Sequence, residues 1–420
     1  MTVTSSERTL LDSIDAQEIV SLTTSLIDAG GENPGDTEEA TAKVLAEHCR
    51  ALGFDVRTVE VAPGRPNVFV SIGSAERPGV LFVGHSDVVP AGTGWTTDPF
   101  SAVVRDGRIV GRGACDMKGG LAAVVAAMAA VHRAGLADEH PMTLACLVDE
   151  EDTGLGIRAF VAESEQRNYT CCVVAEPTDL VTIVGCRGAA NIEVEVRGRS
   201  AHAGQPRNGA NAISAAARII GIIEGSQAEL DANPDPDLGP ATWNVGTIAG
   251  GTGTSMVADR CVLAVDRRLL PGESAAGVVG DLRSRIESAE LTGSGIDVDI
   301  TISMEMPGFL TSVNHGLVTT AVQSVIDARF IPNGRSAGST PAPNGRFAGS
   351  TPAEFTDIWT ASCDGGFVAQ QMGIDTVVLG PGEIENQAHR PDESLAVQQL
   401  TDSARAYALI ATRIAALPGL

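Results

Sequence analysis

Aromatic side chains are scarce in this chain, because Phe, Trp and Tyr make up only 4% of 420 residues, while 43% of residues are hydrophobic. A core built around large rings is therefore excluded. The abundant Ala, Val and Gly favour thin helices packed on a Val/Ile-rich sheet, which predicts an α/β protein. A chain of 420 residues is too long for one compact core, so we expect two domains.

Basic residues are far fewer than acidic residues in this chain. The 29 Lys and Arg residues against 53 Asp and Glu residues give a formal net charge of −24, with no cluster of Lys and Arg to offset it. A polyanion would be repelled, which excludes nucleic acid and an anionic membrane surface as partners. An anionic substrate would also approach against this field, unless metal ions invert the charge locally.

Long apolar runs, export signals and paired cysteines are missing as well. No apolar stretch reaches the length of a membrane span, and MTVTSSERTLLDSIDAQEIV has no basic segment followed by an apolar one. The eight cysteines include no C-x-x-C pair and lie mostly in apolar runs, which predicts buried thiols. These features predict a cytoplasmic protein in which Cys115 is a packing residue and not a thiolate ligand.

The pattern of apolar residues predicts a discontinuous large domain. Helix and strand signals alternate from residue 16 to residue 175, as in a βαβ sheet. From about Gly188, AANIEVEVRG alternates strictly, and the element order β-α-β-β-α-β that begins there is ferredoxin-like. We therefore predict a catalytic domain in two parts, 1–187 and 307–420, with an inserted domain at 188–306.

Four apolar stretches lead directly into side chains that bind divalent metals. The stretches GVLFVGH, TLACLVDEE, TCCVVAE and TVVLGPGEIENQAH end at His85, at Glu150 and Glu151, at Glu176 and at His389. Open α/β sheets place their chemistry beyond the carboxyl ends of the strands. We therefore expect these residues to form one site, together with Asp116 of GRGACDM.

Two cations held close together require a bridging carboxylate, because their like charges repel each other. We predict Asp116 as the bridge. His85 and Glu176 would complete the coordination of one ion, and Glu151 and His389 would complete that of the other. Imidazole and carboxylate ligands without thiolate favour zinc, with cobalt or manganese as substitutes.

Two further carboxylates are expected to assist this site. Consecutive strand residues point to opposite sides, which leaves Glu150 free to act as general base toward a metal-bound water when Glu151 is a ligand. Asp87 lies two residues after His85 and can orient its imidazole ring.

The motif series of this chain resembles that of a known family. In chain order the motifs are GHSDVVP, GRGACDMKGG, VDEEDTG, AEPTDL, GRSAHAGQP and LGPGEIENQAHRPDE. They resemble the dizinc amidohydrolases, or M20-type metallopeptidases, which include acetylornithine deacetylase, succinyl-diaminopimelate desuccinylase, aminoacylase and glutamate carboxypeptidase. The resemblance covers nearly the whole chain.

The resemblance implies a zinc-exopeptidase-like mixed sheet flanked by helices, with an inserted ferredoxin-like α+β domain that mediates homodimerisation. It implies the same ligand and base assignments as above, and a cis peptide bond between Asp116 and Met117. It also implies that His202 of SAHAG reaches the partner subunit's site and polarises the scissile carbonyl.

Substrate recognition is expected to involve the inserted domain too. Arg268 falls on the family's substrate-carboxylate arginine, and Arg267 is the alternative. Ser255 stands where the family usually has Asn, and Ala258 stands at its usual proline, so recognition of the substrate carboxylate or carbonyl is expected to differ.

A tandem repeat stands apart from these motifs. PNGRSAGSTPA at 332–342 is followed by PNGRFAGSTPA at 343–353, and this composition predicts a surface loop. One hypothesis is that Arg335 or Arg346 reaches a substrate carboxylate. Further along, CDGGF at 363–367 departs from the segment of the acetylornithine deacetylase branch.

The leading hypothesis is a metal-dependent hydrolase that cleaves the amide bond of an N-acyl amino acid, like acetylornithine deacetylase, with Glu150 as general base. The alternative within the family is a desuccinylase, carboxypeptidase or dipeptidase acting on a short peptide. A non-catalytic metal- or ligand-binding relative is disfavoured, because the base and all five ligand positions are present. A nucleotide-binding loop is disfavoured because Gly119, and not Ser or Thr, follows Lys118.

Overall fold

The computed structural model describes residues 3–163, 169–329 and 355–414, which divide into two compact units. The first unit comprises Met1–Gly185, Leu310–Asp357 and Phe367–Leu420, and the inserted unit comprises Cys186–Phe309 and Ile358–Gly366. The tandem repeat at 332–353, with Arg335 and Arg346, lies outside the described residues.

The helices are α1 (Ser5–Asp12), α2 (Ala16–Asp28), α3 (Glu39–Ala51), α4 (Gly119–Arg133), α5 (Leu155–Glu163), α6 (Ala212–Ala232), α7 (Ala275–Ser288), α8 (Gly316–Arg329), α9 (Gly365–Met372) and α10 (Val397–Ile414). The strands are β1 (Asp55–Ala62), β2 (Arg65–Ile72), β3 (Gly79–His85), β4 (Val103–Arg105), β5 (Arg108–Val110), β6 (Met142–Leu147), β7 (Tyr169–Val174), β8 (Thr182–Cys186), β9 (Gly188–Arg197), β10 (Thr242–Gly250), β11 (Arg260–Leu269), β12 (Asp297–Met306), β13 (Phe309–Leu310), β14 (Thr356–Trp359), β15 (Thr376–Val378) and β16 (Ser394–Ala396).

The main sheet places its strands in the order β1-β2-β6-β3-β7-β15-β8-β13, with β14 beside β8. Its centre is parallel: β3 runs parallel to both β6 and β7, and β15 runs parallel to β7. All six residues of β6 are buried, and β3 and β7 are buried over most of their length. A parallel strand covered on both faces requires a continuous apolar run, which is the pattern seen in the sequence. The carboxyl ends of these four strands therefore share one edge.

Small residues let α4 lie in the middle of the helical layer, where it contacts α2 and α10. Among the described residues, Ala114–Arg133 is the one helical segment long and apolar enough to cross a membrane, and it lies inside the protein except at its end, where His132 and Arg133 are exposed. It is thus a core helix. The expectation that no segment reaches this length was wrong, because Ala and Gly make the segment apolar without any long aliphatic run.

None of the eight cysteines forms a disulfide, and all eight lie buried in the described part of the chain. Burial raises the pKa of the Cys115 thiol well above its ordinary value, as do the neighbouring carboxylates of Glu393 and Asp116. Cys115 is therefore a thiol packed beside the site.

The inserted unit has the predicted ferredoxin-like order. Its antiparallel sheet runs β10-β11-β9-β12, and α6 and α7 cover one face. Alternate residues of β9, such as Ile192 and Val194, join this core together with Ile219 of α6 and Leu282 of α7. The strict alternation in β9 thus reflects a sheet with one covered face.

The unit boundaries differ from the prediction by two residues at the start of the inserted unit, by three at Phe309, and by one further segment. The sequence pattern places residues 358–366 in the second part of the catalytic domain, but they belong to the inserted unit. The backbone N–H of Arg187 donates to the carbonyl oxygen of Trp359 at 3.2 Å, so the chain returns to this unit through backbone pairing.

Candidate metal centre

Three buried side chains converge at the edge of the parallel strands. His85 ends β3, Glu176 follows β7 by two residues, and Asp116 lies in the π-helical turn Ala114–Lys118 that precedes α4. His85 Nε2 is 3.1 Å from Asp116 Oδ1 and 3.4 Å from Glu176 Oε1. The peptide bond between Asp116 and Met117 is cis, as the resemblance implies.

A second group shares Asp116. His389 Nε2 lies 3.3 Å from Asp116 Oδ2 and 3.3 Å from Glu151 Oε2. The two carboxylate oxygens of Asp116 thus face two different imidazoles, which is the arrangement of a bridging ligand. The His389 side chain is 52% exposed, so this part of the centre is open to solvent.

The spacing of these donors fits two divalent cations. Metal–ligand bonds of about 2.0–2.1 Å in tetrahedral geometry place neighbouring ligand atoms about 3.3–3.4 Å apart. The four donor pairs are separated by 3.1–3.4 Å. Oε1 of Glu151 is buried and has no hydrogen-bond partner in the described parts of the chain, so it retains an unused lone pair. The residues present therefore suit a dinuclear centre.

The pKa shifts of the clustered carboxyl and imidazole groups also suit a site for cations. Burial and the negative charge of Asp116 raise the pKa of Glu176 to about 8 and also raise the pKa of Glu151. Hydrogen bonds to Asp116 and Glu151 raise the pKa of His389 to about 10. Burial lowers the pKa of His85, but the Glu176 charge and the bond to Asp116 outweigh it and raise that pKa well above its ordinary value. Carboxyl groups and imidazoles whose pKa values are both raised by neighbouring negative charge indicate a site short of positive charge.

Asp87 contacts both the first ligand and the loop of the proposed base. Its carbonyl oxygen, and not its carboxylate, is the close partner of His85 Nδ1, at 2.9 Å against 3.4 Å for Oδ1. The carboxylate instead accepts the backbone N–H groups of Glu150 at 3.2 Å and Glu151 at 3.1 Å. The side chain of Asn33 donates to it at 2.9 Å.

Contrary to the prediction from sequence, Glu150 and Glu151 do not alternate along a strand, because β6 ends at Leu147 and both lie in the turn that follows. Asp149 begins this turn with a positive φ of 65°. Its Oδ2 accepts the backbone N–H groups of Thr153 and Leu155, each at 3.2 Å, and its Oδ1 accepts from Asn33 at 2.9 Å. Glu150 is half-buried directly before Glu151, so its proposed role depends on the geometry of this turn.

The predicted residues of the inserted unit fall into two places. His202 is exposed, and its segment pairs with that of Ser255: Ala203 N–H donates to the Ser255 carbonyl oxygen at 2.9 Å, and His202 pairs with Met256 in an antiparallel bridge. Arg268 lies on β11, where its side chain is 33% exposed and ion-paired with Asp266 at 3.0 Å.

Arg267 has a different environment. It is buried, its Nη2 is 2.8 Å from Glu273 Oε1, and its guanidinium lies 5.3 Å from the ring centroid of Trp243. Of the two arginines, Arg268 is the one whose side chain remains accessible.

Several residues that support the centre were missed in the sequence. Asn33 and Arg65 lie outside the recognised motifs, and only the folded chain brings them to Asp149. There, Nη1 of Arg65 donates to Oδ1 of Asp149. Glu393 lies in the AHRPDE motif and accepts three backbone N–H groups of the turn that carries Asp116. Its position within that motif is a signal that could have indicated it.

Comparisons with known proteins agree with this geometry. The family described as Peptidase family M20/M25/M40 matches residues 81–413. The acetylornithine deacetylase of Vibrio vulnificus is 30% identical over 380 residues, which cover 89% of this chain and 91% of that protein.

Solved structures show the same fold. The aminopeptidase PepT from Bacillus cereus has a TM-score of 0.72 at 22% identity, covering 96% of this chain and 100% of that chain. A protein from Bacillus subtilis described as a dinuclear metal binding peptidase of the M20 family has a TM-score of 0.66 at 14% identity, covering 95% of this chain and 98% of that chain. The chain thus belongs to peptidase family M20/M25/M40 and is a metal-dependent hydrolase of that family.

Proposed function

We propose that this protein hydrolyses the amide bond of an N-acyl amino acid at a dinuclear zinc centre. The observation that carries the proposal is that the two carboxylate oxygens of Asp116 face different imidazoles. Oδ1 lies 3.1 Å from His85 Nε2, and Oδ2 lies 3.3 Å from His389 Nε2. His85 and Glu176 would hold one ion, and Glu151 and His389 the other. Cobalt or manganese would substitute, because the donors are nitrogen and oxygen without sulfur.

The bound cations would supply positive charge to polarise the scissile carbonyl and lower the pKa of a water molecule. Glu150 takes the proton from the attacking water on its carboxylate and delivers it to the departing amine. Asp87 holds the backbone of Glu150 in place and fixes the His85 ring. Because Asp87 is fully buried and does not face solvent, we assign it a positioning role.

The substrate would be an N-acetyl amino acid with a cationic side chain. The relative that is 30% identical over 89% of this chain is an acetylornithine deacetylase, and ornithine carries a side-chain ammonium group. Such a substrate carries one ammonium and one carboxylate, so the net charge of −24 does not repel it, whereas an acyl group with its own carboxylate makes the substrate anionic and is repelled. A desuccinylase, carboxypeptidase or dipeptidase would show a different preference.

We further propose a cytoplasmic homodimer in which the inserted unit forms the contact. The exposed His202 would then reach the partner subunit's centre and polarise the carbonyl. Arg268 would bind the substrate carboxylate, and Ser255, which lies beside the His202 segment, would contact the substrate.

The direct test combines metal removal with a substrate panel. Exhaustive chelation should abolish hydrolysis, and two equivalents of zinc, cobalt or manganese should restore it. Acetyl-, succinyl- and longer acyl-amino acids and dipeptides should rank with N-acetyl cationic amino acids first by kcat/KM. Full activity in the chelated protein would exclude the proposal.

A variant of the base separates catalysis from metal binding. Glu150→Ala should retain both ions and lose about 10²- to 10⁴-fold in kcat, since a positioned proton carrier contributes this much. Asp152→Ala, two residues away on the exposed part of the same turn, is the matched control and should keep its activity. Equal kcat in both variants would remove Glu150 from the mechanism.

A further inference from the structure

Glu393 is a buried carboxylate that contacts the backbone beside the centre. It lies four residues after His389, and it is 1% exposed. Its Oε1 accepts the backbone N–H groups of Cys115 at 2.8 Å and Asp116 at 3.0 Å, and its Oε2 accepts the backbone N–H of Gly113 at 3.1 Å. One side chain therefore binds three backbone N–H groups at the start of the turn that presents the proposed bridging carboxylate.

The turn needs such an acceptor because its backbone departs from helical geometry at two residues. Asp116 has φ −118° and ψ 98°, and Met117 has φ −131° and ψ 32°. The N–H groups at the start of a helix have no intrahelical acceptor, and an irregular turn adds to their number. A carboxylate is a strong acceptor for several backbone N–H groups at once. Glu393 thus acts as a cap supplied from a distant part of the chain.

Arg112 makes burial of this charge tolerable. Its Nη1 lies 2.7 Å from Glu393 Oε2, and its guanidinium stacks 5.1 Å from the ring centroid of Trp95. The same guanidinium donates to the carbonyl oxygens of Ala91 at 3.3 Å and Arg390 at 3.4 Å. Both terminal nitrogens of the guanidinium are thus hydrogen-bonded, and Nε alone has no partner among the described residues. A buried ion pair bonded in this way is one that the fold can hold in a single geometry.

We propose that Glu393 is a positioning residue that sets the register between two ligand segments: the turn with Asp116 and the loop with His389. The proposal rests on the dinuclear centre proposed above. The ion between Asp116, Glu151 and His389 takes two of its ligands from the segments that Glu393 joins. The ion between His85, Asp116 and Glu176 takes only one. Loss of Glu393 should therefore lower the binding affinity for the first of these ions selectively.

The test compares two buried carboxylates that pair with arginine in the same unit. Glu393→Gln removes the charge but keeps the shape. Asp327→Asn is the control, because Asp327 is buried and lies 2.7 Å from Arg413 without touching a ligand segment. Both variants should lose stability. Metal-free protein is titrated with zinc against a chromophoric chelator, and the cobalt form is followed by its visible absorption spectrum.

We expect Glu393→Gln to lower the binding affinity for the ion between Asp116, Glu151 and His389 by about 10- to 100-fold. This is the usual effect of losing a group that orients a ligand. In Glu393→Gln, the visible absorption that appears with the second equivalent of cobalt should change. Asp327→Asn should match the wild type in both metal dissociation constants and in its cobalt spectrum. Glu393→Asp retains the charge on a shorter side chain, and should shift the same ion in the same direction. This variant decides the matter if the Gln variant does not fold.

Unchanged metal constants in folded Glu393→Gln or Glu393→Asp protein would overturn the positioning role. Equal weakening in Asp327→Asn would also overturn it, because general destabilisation would then be the cause. Failure of the wild type to bind two ions would instead overturn the dinuclear centre itself, so the two failures are distinguishable.

Discussion

The backbone N–H of Glu150 donates to Oδ1 of Asp87 at 3.2 Å, which ties the proposed base to the residue that also contacts the His85 ring. Asp87 is fully buried and also accepts from Glu151 and Asn33. A single carboxylate thus fixes a turn after β6 relative to the end of β3. The positions of base and ligands therefore depend on one another.

Replacing Asp87 should impair turnover without removing substrate affinity. Asp87→Asn converts one acceptor oxygen to an NH₂ group, so at least one of the bonds from Glu150, Glu151 or Asn33 is lost. We expect kcat to fall about 10- to 100-fold with little change in KM, because the residue orients other groups and does not contact substrate. Steady-state kinetics of the fully metal-loaded variant measure this. Asp327→Asn again serves as the control, and an unchanged kcat for Asp87→Asn would contradict the assignment.

The meeting of the proposed ligands could in part be predicted from sequence because of how a parallel sheet is built. Strands β3, β6, β7 and β15 are covered on both faces, so each is a continuous apolar run whose end is easily recognised. Since their carboxyl ends share an edge, His85, Glu151 and Glu176 are expected to meet there. His389 lies eleven residues beyond β15 and Asp116 precedes α4, so the strand ends alone do not fix their positions. The ferredoxin-like order of the inserted unit could be predicted for a similar reason, because strict alternation marks strands with one exposed face.

The supporting contacts could not be predicted this way. Asn33 meets Asp149 across 116 positions of sequence, and Arg65 meets the same carboxylate across 84. No periodicity encodes such a contact, because it depends on how loops fold over the sheet edge. The turn after β6 was also missed, since a positive φ at Asp149 is stabilised by hydrogen bonds from Asn33, Thr153 and Leu155, and not by a glycine.

Glu38 should make stability depend on pH. It is 1% exposed with Arg65 Nε at 3.6 Å, and burial together with the Asp87 charge raises the pKa of its carboxyl from 4.5 to about 7. The folded state thus binds this proton more tightly than the unfolded state. The contribution is fully present below pH 4.5 and is lost as the pH rises through about 7.

Glu38→Gln removes this titration. Relative to the wild type, the variant should gain on the order of 3 kcal/mol in free energy of unfolding between pH 4.5 and pH 8, since the pKa rises from 4.5 to about 7 and one pKa unit corresponds to about 1.4 kcal/mol. Denaturant unfolding of both proteins at several fixed pH values measures the difference, in which the titration of all other groups cancels. A difference that does not vary with pH would show that Glu38 ionises normally in the folded state.

The two neighbouring arginines of β11 should give opposite phenotypes. Arg268→Ala should raise KM for carboxylate substrates about 10- to 100-fold, the effect of losing a hydrogen bond to a charged group, while leaving stability nearly unchanged. Arg267→Ala should lower the free energy of unfolding by about 2 kcal/mol, because it leaves Glu273 unpaired and Trp243 uncovered. Kinetics on each substrate and its carboxamide analogue, with denaturant unfolding, separate the two. If Arg267 is instead the substrate arginine, the carboxamide discrimination will be lost in that variant alone.

A shared active site can be tested by mixing two inactive proteins. His202→Ala lacks the residue proposed to act in the partner subunit, and Glu150→Ala lacks the base in its own subunit. In a mixed dimer, one centre combines the intact Glu150 of the first chain with the intact His202 of the second, and the other centre carries both defects. Random exchange of equal amounts puts half of the molecules in mixed dimers, so about one quarter of wild-type specific activity should return, as the two-fold symmetry of such a dimer requires. The pair Asp152→Ala and Glu150→Ala is the control and should only dilute activity. If His202 acts within its own chain, mixing will restore nothing beyond the sum of the separate variants.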